Sequence, residues 1–166
     1  WLGPKVHDGL KSVDPKTGTV VTGFETYKNA ALVNVIPAQM AGSIARDAQL
    51  TNATGFCQID PTSMKSLVDP NIYVLGDACN GGDMPKSAFS ANSQAKVAAM
   101  MIRGELIKSP TFPARYTNTC WSLIETDDCV KVGGAYEAKD GKIAASSTFV
   151  SKTGETAEMR KQQQAE

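Results

Sequence analysis

Asn71-Ile-Tyr-Val-Leu-Gly-Asp-Ala-Cys79, followed by Met84-Pro-Lys-Ser-Ala-Phe-Ser-Ala-Asn-Ser-Gln-Ala-Lys96, is the stretch whose reading decides the fold. Asp69-Pro70-Asn71 introduces an apolar run, Ile72 to Leu75, that Gly76-Asp77 stops. This pattern predicts a strand. A helix then starts at Ser87 or Ser90 and runs to Arg103. Ala91, Ala95, Ala98, Ala99 and Ile102 recur at helical spacing, and Gly104 suits the position just past a helix end. The small Ala side chains let another backbone or a flat ligand come close. In an open α/β sheet, ligands bind at the carboxyl edge of the strands. The strand would deliver Gly76 and Asp77 to that edge. Gly76 lets backbone approach a ligand without a Cβ. Asp77 offers acceptor oxygens to sugar-like hydroxyls. The helix would turn its free N–H groups and positive dipole end toward the same place. Taken alone, a Gly-Asp pair is more often a turn with Asp capping a helix.

Working outward toward the amino end, residues 9 to 26 read as a hairpin. Leu10, Ser12 and Val13 lead into Asp14-Pro15-Lys16-Thr17-Gly18, and Thr19 to Thr22 form the return strand. Ala31 to Ile36 is apolar apart from Asn34 and predicts a buried third strand stopped by Pro37. Residues 39 to 49 predict a helix, with Met40, Ile44 and Ala48 at fourfold spacing. Phe56 to Asp60 is short and alternating and reads as a brief strand closed by Pro61. His7 is expected to be solvated, and Met100-Met101 to pack on the helix.

Toward the carboxyl end, Pro110 and Pro113 bracket a linker-like stretch. Asn118 to Ile124, Val130 to Val132 and Ile143 to Val150 then favour β structure. Lys139-Asp140-Gly141-Lys142 is a hairpin turn by composition. Trp121, inside a β segment, is expected in a core. Glu155 to Glu166 is polar, contains three consecutive Gln, and is expected to fray.

The whole chain has 166 residues, of which 42% are hydrophobic and 20% charged. That apolar share argues against wholesale disorder. Lys+Arg and Asp+Glu are both 17, for a formal net charge of zero, so no general electrostatic footprint for nucleic acid or anionic lipid exists. No run approaches the roughly 18 apolar residues needed to span a bilayer. The four cysteines, Cys57, Cys79, Cys120 and Cys129, form no C-x-x-C, and His7 is far from all of them in sequence. No metal site is expected. Buried free thiols and one or two disulfides both remain open.

The string Met84-Pro-Lys-Ser-Ala-Phe-Ser-Ala-Asn-Ser-Gln-Ala-Lys-Val97, after a run ending in Gly-Asp-Ala, resembles the flavoprotein subunit of flavocytochrome c sulfide dehydrogenase. This subunit belongs to the two-dinucleotide-domain flavoprotein disulfide oxidoreductases. Trp1-Leu-Gly-Pro4, Val33-Asn-Val-Ile-Pro37 and Tyr116-Thr-Asn-Thr-Cys-Trp-Ser122 support the resemblance, and their order is that of the family's carboxyl-terminal half.

The resemblance implies a periplasmic enzyme that oxidises sulfide through FAD and passes electrons to a c-type cytochrome subunit. Asp77 would hydrogen-bond the ribityl chain of FAD. Gly76, Met84, Pro85, Lys86, Ser87 and Asn92 join it as cofactor-binding residues, with Lys86, Ser87 and the helix start near the flavin pyrimidine edge. Cys120 matches a family cysteine that works as a redox-active thiol or disulfide beside the flavin, and is the expected catalytic residue. Its disulfide partner, the covalent FAD tether and the Gly-rich first FAD fingerprint all belong to the family's amino-terminal half. No G-x-G-x-x-G occurs among these residues. Cys57 and Cys79 would approach each other if both strands belong to the flavin domain, with free thiols favoured over a disulfide.

The expected architecture is α+β or α/β: an incomplete FAD-binding Rossmann-type portion plus a small α+β carboxyl-terminal domain. Residues 1–30 would end a pyridine-nucleotide-type domain as a hairpin. Residues 31–108 would be the second segment of the FAD domain, and 109–166 the carboxyl-terminal domain. Trp1 then reads as an internal residue of a longer protein. Such a fragment is expected to be inactive alone and to self-associate through exposed apolar surface. Two other classes stay in view. One is a different flavin oxidoreductase, such as a sulfide:quinone oxidoreductase or an NADH dehydrogenase relative. The quinone enzymes usually carry an amphipathic membrane-contacting end, and the Gln-rich tail lacks one. The other is a non-catalytic protein-binding module or a stand-alone domain.

Overall fold

The computed structural model describes residues 4–126, 128–151 and 158. The chain divides into two compact units, Trp1–Gln39 and Met40–Glu166. Its two sheets are both antiparallel and three-stranded, which gives an α+β arrangement. No helix among the described residues is long and apolar enough to cross a membrane.

The first unit holds one helical turn, α1 (Pro4–His7), and a sheet of β1 (Leu10–Asp14), β2 (Thr19–Thr22) and β3 (Thr26–Tyr27). Local chemistry sets the hairpin. The Asp14 carboxylate accepts from the Lys16 N–H at 2.9 Å and from the Thr17 hydroxyl at 2.8 Å. Gly18 closes the turn at φ +63°, and a Cβ there would lie 2.7 Å from the Ala30 carbonyl oxygen. His7 is half-buried, and its Nδ1 accepts from the Gly9 N–H at 2.8 Å. The strand expected over Ala31 to Ile36 does not form. Leu32 and Ile36 are 87% and 83% exposed. A strand exists only as part of a ladder, and β1, β2 and β3 pair with one another and not with this segment.

In the second unit, the helix expected over 39–49 shrinks to α2 (Ser43–Asp47). Gly42 is its N-cap, and Gln49 takes φ +58° just beyond it. The fourfold apolar row is not a packing face, since Ile44 is 84% exposed while the off-row residues Ala41 and Leu50 are buried. With Ala45 as its packed apolar residue, a helix here has little to sustain more than about one turn.

Residues 51–79 then cross one another through single bridges: Thr51 to Cys57, Cys57 to Cys79, Ile59 to Ser66 and Lys65 to Tyr73. The strands expected at Phe56 to Asp60 and Ile72 to Leu75 are therefore corrected to bridged, extended segments. Phe56 to Asp60 meets Thr51, Cys79 and Ser66 through Cys57 and Ile59, and Ile72 to Leu75 meets Lys65 through Tyr73, always by a single bridge, so no ladder propagates. The second segment runs into a 3-10 turn, Gly76–Ala78.

The long helix α3 (Ala88–Ile107) starts where the sequence places it. Ser87 is the N-cap, and its Oγ accepts from the Ser90 N–H at 3.0 Å. Its end differs from the expectation: α3 continues through Gly104 and stops at Lys108, which has φ +54°. Gly104 serves close approach instead of termination, because a Cβ there would lie 2.6 Å from the Thr111 methyl.

Three strands follow as a meander: β4 (Arg115–Glu125), β5 (Asp128–Lys139) and β6 (Lys142–Val150). They are longer than the sequence indicates. β5 runs straight through Gly133-Gly134, where a Cβ would lie 2.5 Å from the Asn118 carbonyl oxygen and 2.6 Å from that of Ser147, respectively. Asp140 and Gly141 both take positive φ, 51° and 74°, the requirement of a two-residue type I′ hairpin. Arg115 and Glu137 pair as ions across β4 and β5. Tyr116, Tyr136 and Ile143 from the sheet join Val97 and Ala98 from α3 and Met64 and Val74 from the crossing segments in one core. The buried Tyr116 hydroxyl donates to the Pro61 carbonyl at 2.5 Å. Of the Met100-Met101 pair expected to pack on the helix, Met101 packs against this core and Met100 is half-buried outside it. Trp121 does not: it is 39% exposed, because the far half of β4 extends past the core. The frayed-tail expectation for 155–166, apart from Glu158, and the Trp1 to Gly3 part of the first string lie outside the described residues.

Candidate functional site

The Gly76–Ala78 turn, the loop through Gly81 to Lys86 and the start of α3 surround a cavity of about 250 Å³. Sequence dictates its walls. Gly76 has φ +68°, and a Cβ there would meet the Ala91 Cβ at 3.4 Å. Gly82 has φ +61°, and a Cβ there would collide with the Ile143 carbonyl oxygen at 2.5 Å. Glycine at these two positions lets the turn pack on α3 and the loop pack on β6.

The loop is fastened to the sheet at three points. The Asp83 N–H donates to the Ile143 carbonyl at 2.9 Å. The Lys142 ammonium and the Ala145 N–H donate to the Asp83 carboxylate at 2.8 and 3.2 Å. The Lys142 contact, with the Ala145 N–H, holds the Asp83 carboxyl below the usual range.

Gln94, one of the few buried polar residues of α3, holds the turn from behind. Its Oε1 accepts from the Gly76 N–H at 2.7 Å and lies 3.8 Å from the Cys79 sulfur, while its Nε2 sits 3.5 Å from the Met84 sulfur. Sequence reasoning read Gln94 only as part of a string. Its signal was available, because a Gln on the Ala-rich face of a helix needs a buried partner.

The Lys86 ammonium donates to the Asp77 and Cys79 carbonyls, both at 2.7 Å, and lies 4.1 Å from the Phe56 ring centroid. It thus locks the turn to the loop. Of the residues singled out in the sequence, Gly76, Met84, Pro85, Lys86 and Ser87 line the cavity. The Asp77 side chain is exposed beside it in the turn, and Asn92 is exposed on α3; neither is a lining residue.

Cys120 lies on β4 and connects to the cavity through Asn118. The Asn118 Nδ2 donates to the Cys120 sulfur at 3.4 Å. Its Oδ1 accepts from the Ser87 hydroxyl at 2.5 Å and from the Ser90 hydroxyl at 3.0 Å. One buried amide therefore ties the helix cap, the cavity wall and the thiol together.

All four cysteines are free thiols. Cys57 and Cys79 are neighbours across a parallel bridge, both buried. Burial pushes the Cys79 thiol up to about 11, against the opposing pull of Lys86. Burial raises Cys57 as well. Cys129 is also buried, and Cys120 alone of the four is partly open to solvent.

The family described as flavocytochrome c sulphide dehydrogenase, flavin-binding, matches residues 112–166. This stretch contains β4 to β6, hence Asn118, Cys120 and the Ile143 anchor of the loop; the lining residues from Thr54 to Gln94 precede it. The cavity suits part of a flavin. Ligand pockets commonly measure about 300–1,000 Å³, so about 250 Å³ admits one end of a dinucleotide and not the whole. Glycine-bare walls, the serine-capped start of α3 and apolar Phe56 and Met84 provide a flat ring with both stacking surface and polar contacts. Residues 112–166 thus carry the flavin-binding family of flavocytochrome c sulphide dehydrogenase, which supports the chain as a fragment of that flavoprotein subunit, with FAD as the cofactor of the parent protein.

Proposed function

We propose that this chain forms the flavin-facing wall and thiol of a periplasmic sulfide dehydrogenase whose electrons go to a c-type cytochrome subunit. Residues 31–108 act as the second segment of a Rossmann-type FAD-binding domain, 109–166 as the carboxyl-terminal domain, and 1–30 as the end of a pyridine-nucleotide-type domain. The observation that carries this reading is the link from the cavity wall through Ser87 and Asn118 to Cys120.

FAD, when bound, supplies a two-electron acceptor. The residues of this chain bind and orient around it. Gly76 and Ser87 offer a close backbone approach and a hydroxyl. The start of α3 presents a positive dipole end, which favours negative charge arriving at the cavity. Asp77, exposed beside the cavity, is the acceptor for sugar-like hydroxyls. Cys120 is the redox-active thiol beside the cofactor; a bond between its sulfur and sulfide sulfur would form only as two electrons and the thiol proton leave, with FAD, when bound, as the two-electron acceptor. Lys86, engaged with two carbonyls, shapes the turn and sets the position of Asp77 and Cys79.

The test is sulfide-dependent cytochrome c reduction by the full flavoprotein with its cytochrome subunit. Cys120→Ser is expected to abolish it while the flavin absorbance stays. Undiminished turnover in that variant would remove Cys120 from the chemistry. The 166-residue chain alone is expected to be inactive, since it contains no G-x-G-x-x-G. Tight FAD retention together with turnover by the chain alone would overturn that part.

A further inference from the structure

Asn118 is 3% exposed and sits two residues before Cys120 on β4, on the same face of the strand. A primary amide has distinct ends, and here both are engaged. The Oδ1 accepts two serine hydroxyls, from Ser87 at 2.5 Å and Ser90 at 3.0 Å. That double acceptance fixes which way the amide points and places Nδ2, at 3.4 Å, nearer the Cys120 sulfur than Oδ1, at 3.8 Å. Ser87 is itself immobilised as the N-cap of α3 through the Ser90 N–H. The sulfur is therefore held by a relay whose far end is a twenty-residue helix.

From this geometry we propose that Asn118 is the positioning residue for the Cys120 thiol: its amide N–H aims the sulfur and supports negative charge on it. The proposal rests on the reading of Cys120 as the reacting thiol. An N–H donor to sulfur is worth more when the sulfur carries charge. A carboxylate at the same place keeps both acceptor contacts to the serines, removes the donor and adds repulsion. Asn118→Asp thus separates the sulfur contact from the structural one.

The experiment uses the full 166-residue chain and iodoacetamide at one neutral pH, with alkylation of each cysteine followed by peptide mass. In the reaction the sulfur forms a bond to the reagent carbon, iodide leaves, and the thiol proton goes to buffer. Asn118→Ala is expected to slow Cys120 alkylation several-fold and Asn118→Asp by about tenfold or more. The ultraviolet thiolate absorbance that disappears in Cys120→Ser is expected to fall in the same order. A purely structural Asn118 predicts the reverse: Asn118→Asp keeps the serine contacts and the wild-type rate, and Asn118→Ala opens the site and speeds alkylation. Either of those results overturns the proposal. If Asn118→Asp loses its cooperative melt, Asn118→Ala decides alone on the direction of its rate change. The two readings fail separately. Unchanged alkylation with loss of turnover in Cys120→Ser sinks the role of Asn118 only. Slowed alkylation with intact turnover in that variant sinks the role of Cys120 in catalysis and leaves the contact standing.

Discussion

Lys86 shows how little a charge near a cavity says until its partners are known. From the sequence it is a cofactor-side cation; in the fold its ammonium faces two backbone carbonyls and an aromatic ring. The cysteines make the same point through burial. Iodoacetamide at neutral pH is expected to modify Cys120 and spare Cys57, Cys79 and Cys129, with site-resolved mass spectrometry as the check. Equal labelling of Cys79 would mean that the turn opens readily.

Asp60 offers a pH test at the same scale. Burial pushes its carboxyl up, but hydrogen bonds from Ser63 and Thr62 and the charge of Lys65 outweigh it, and the net shift is downward. A depressed carboxyl contributes stability that is present above its unfolded value near 3.8 and is lost as pH falls through the lower folded value. Asp60→Asn is expected to lower the melting temperature at pH 7 and to flatten its fall below pH 4, measured by thermal melts across pH.

At the scale of elements, two glycines inside regular structure have opposite consequences. Gly133 sits in β5 with backbone and the Phe149 ring where a Cβ would go, at 2.5 and 2.7 Å. The half-exposed Phe149 ring can turn aside, but the Asn118 carbonyl is fixed in the β4–β5 ladder and does not give way cheaply. Gly133→Ala is expected to destabilise by about 1–3 kcal/mol in denaturant melts. Gly104 lies in α3, and the nearest obstacle is the methyl of exposed Thr111 at 2.6 Å, which can rotate aside. There the helix gains roughly 0.8–1 kcal/mol from Ala over Gly, so Gly104→Ala is expected to be neutral or mildly stabilising. The sequence reading of Gly104 as a helix stop weighed local propensity alone. Tertiary contacts along α3 carry the helix one turn further, to Ile107.

At the scale of the whole molecule, the second unit is held by long-range polar fasteners on a modest core. Tyr116 is one of them. Tyr116→Phe removes its bond to the Pro61 carbonyl and leaves that acceptor without its partner, an expected cost of about 1–3 kcal/mol in the same melts. Apolar residues outside any core, Leu32 and Ile36 in the first unit and Leu123 and Phe149 in the second, support self-association. Sedimentation velocity is expected to give a dimer or larger species, and a stable monomer across concentrations would count against it.

By itself the sequence determined what depends on a few neighbouring residues. The Asp14 turn, the Ser87 cap, the Asp140-Gly141 hairpin and the Gly76-containing turn are all written in local hydrogen bonds and φ preferences. The resemblance strings likewise needed only residue order. Strands were legible only where a partner followed in the chain, as in β4 to β6. Ala31 to Ile36 and Ile72 to Leu75 have strand composition, yet a ladder needs a second strand, which composition cannot supply. Tertiary structure alone decided that Gln94 braces the Gly76 turn, that Lys86 faces carbonyls, and that Asn118 bridges α3 to Cys120. Those contacts join residues 7 to 31 positions apart, except the last two-residue step, and their existence depends on how helix and sheet pack.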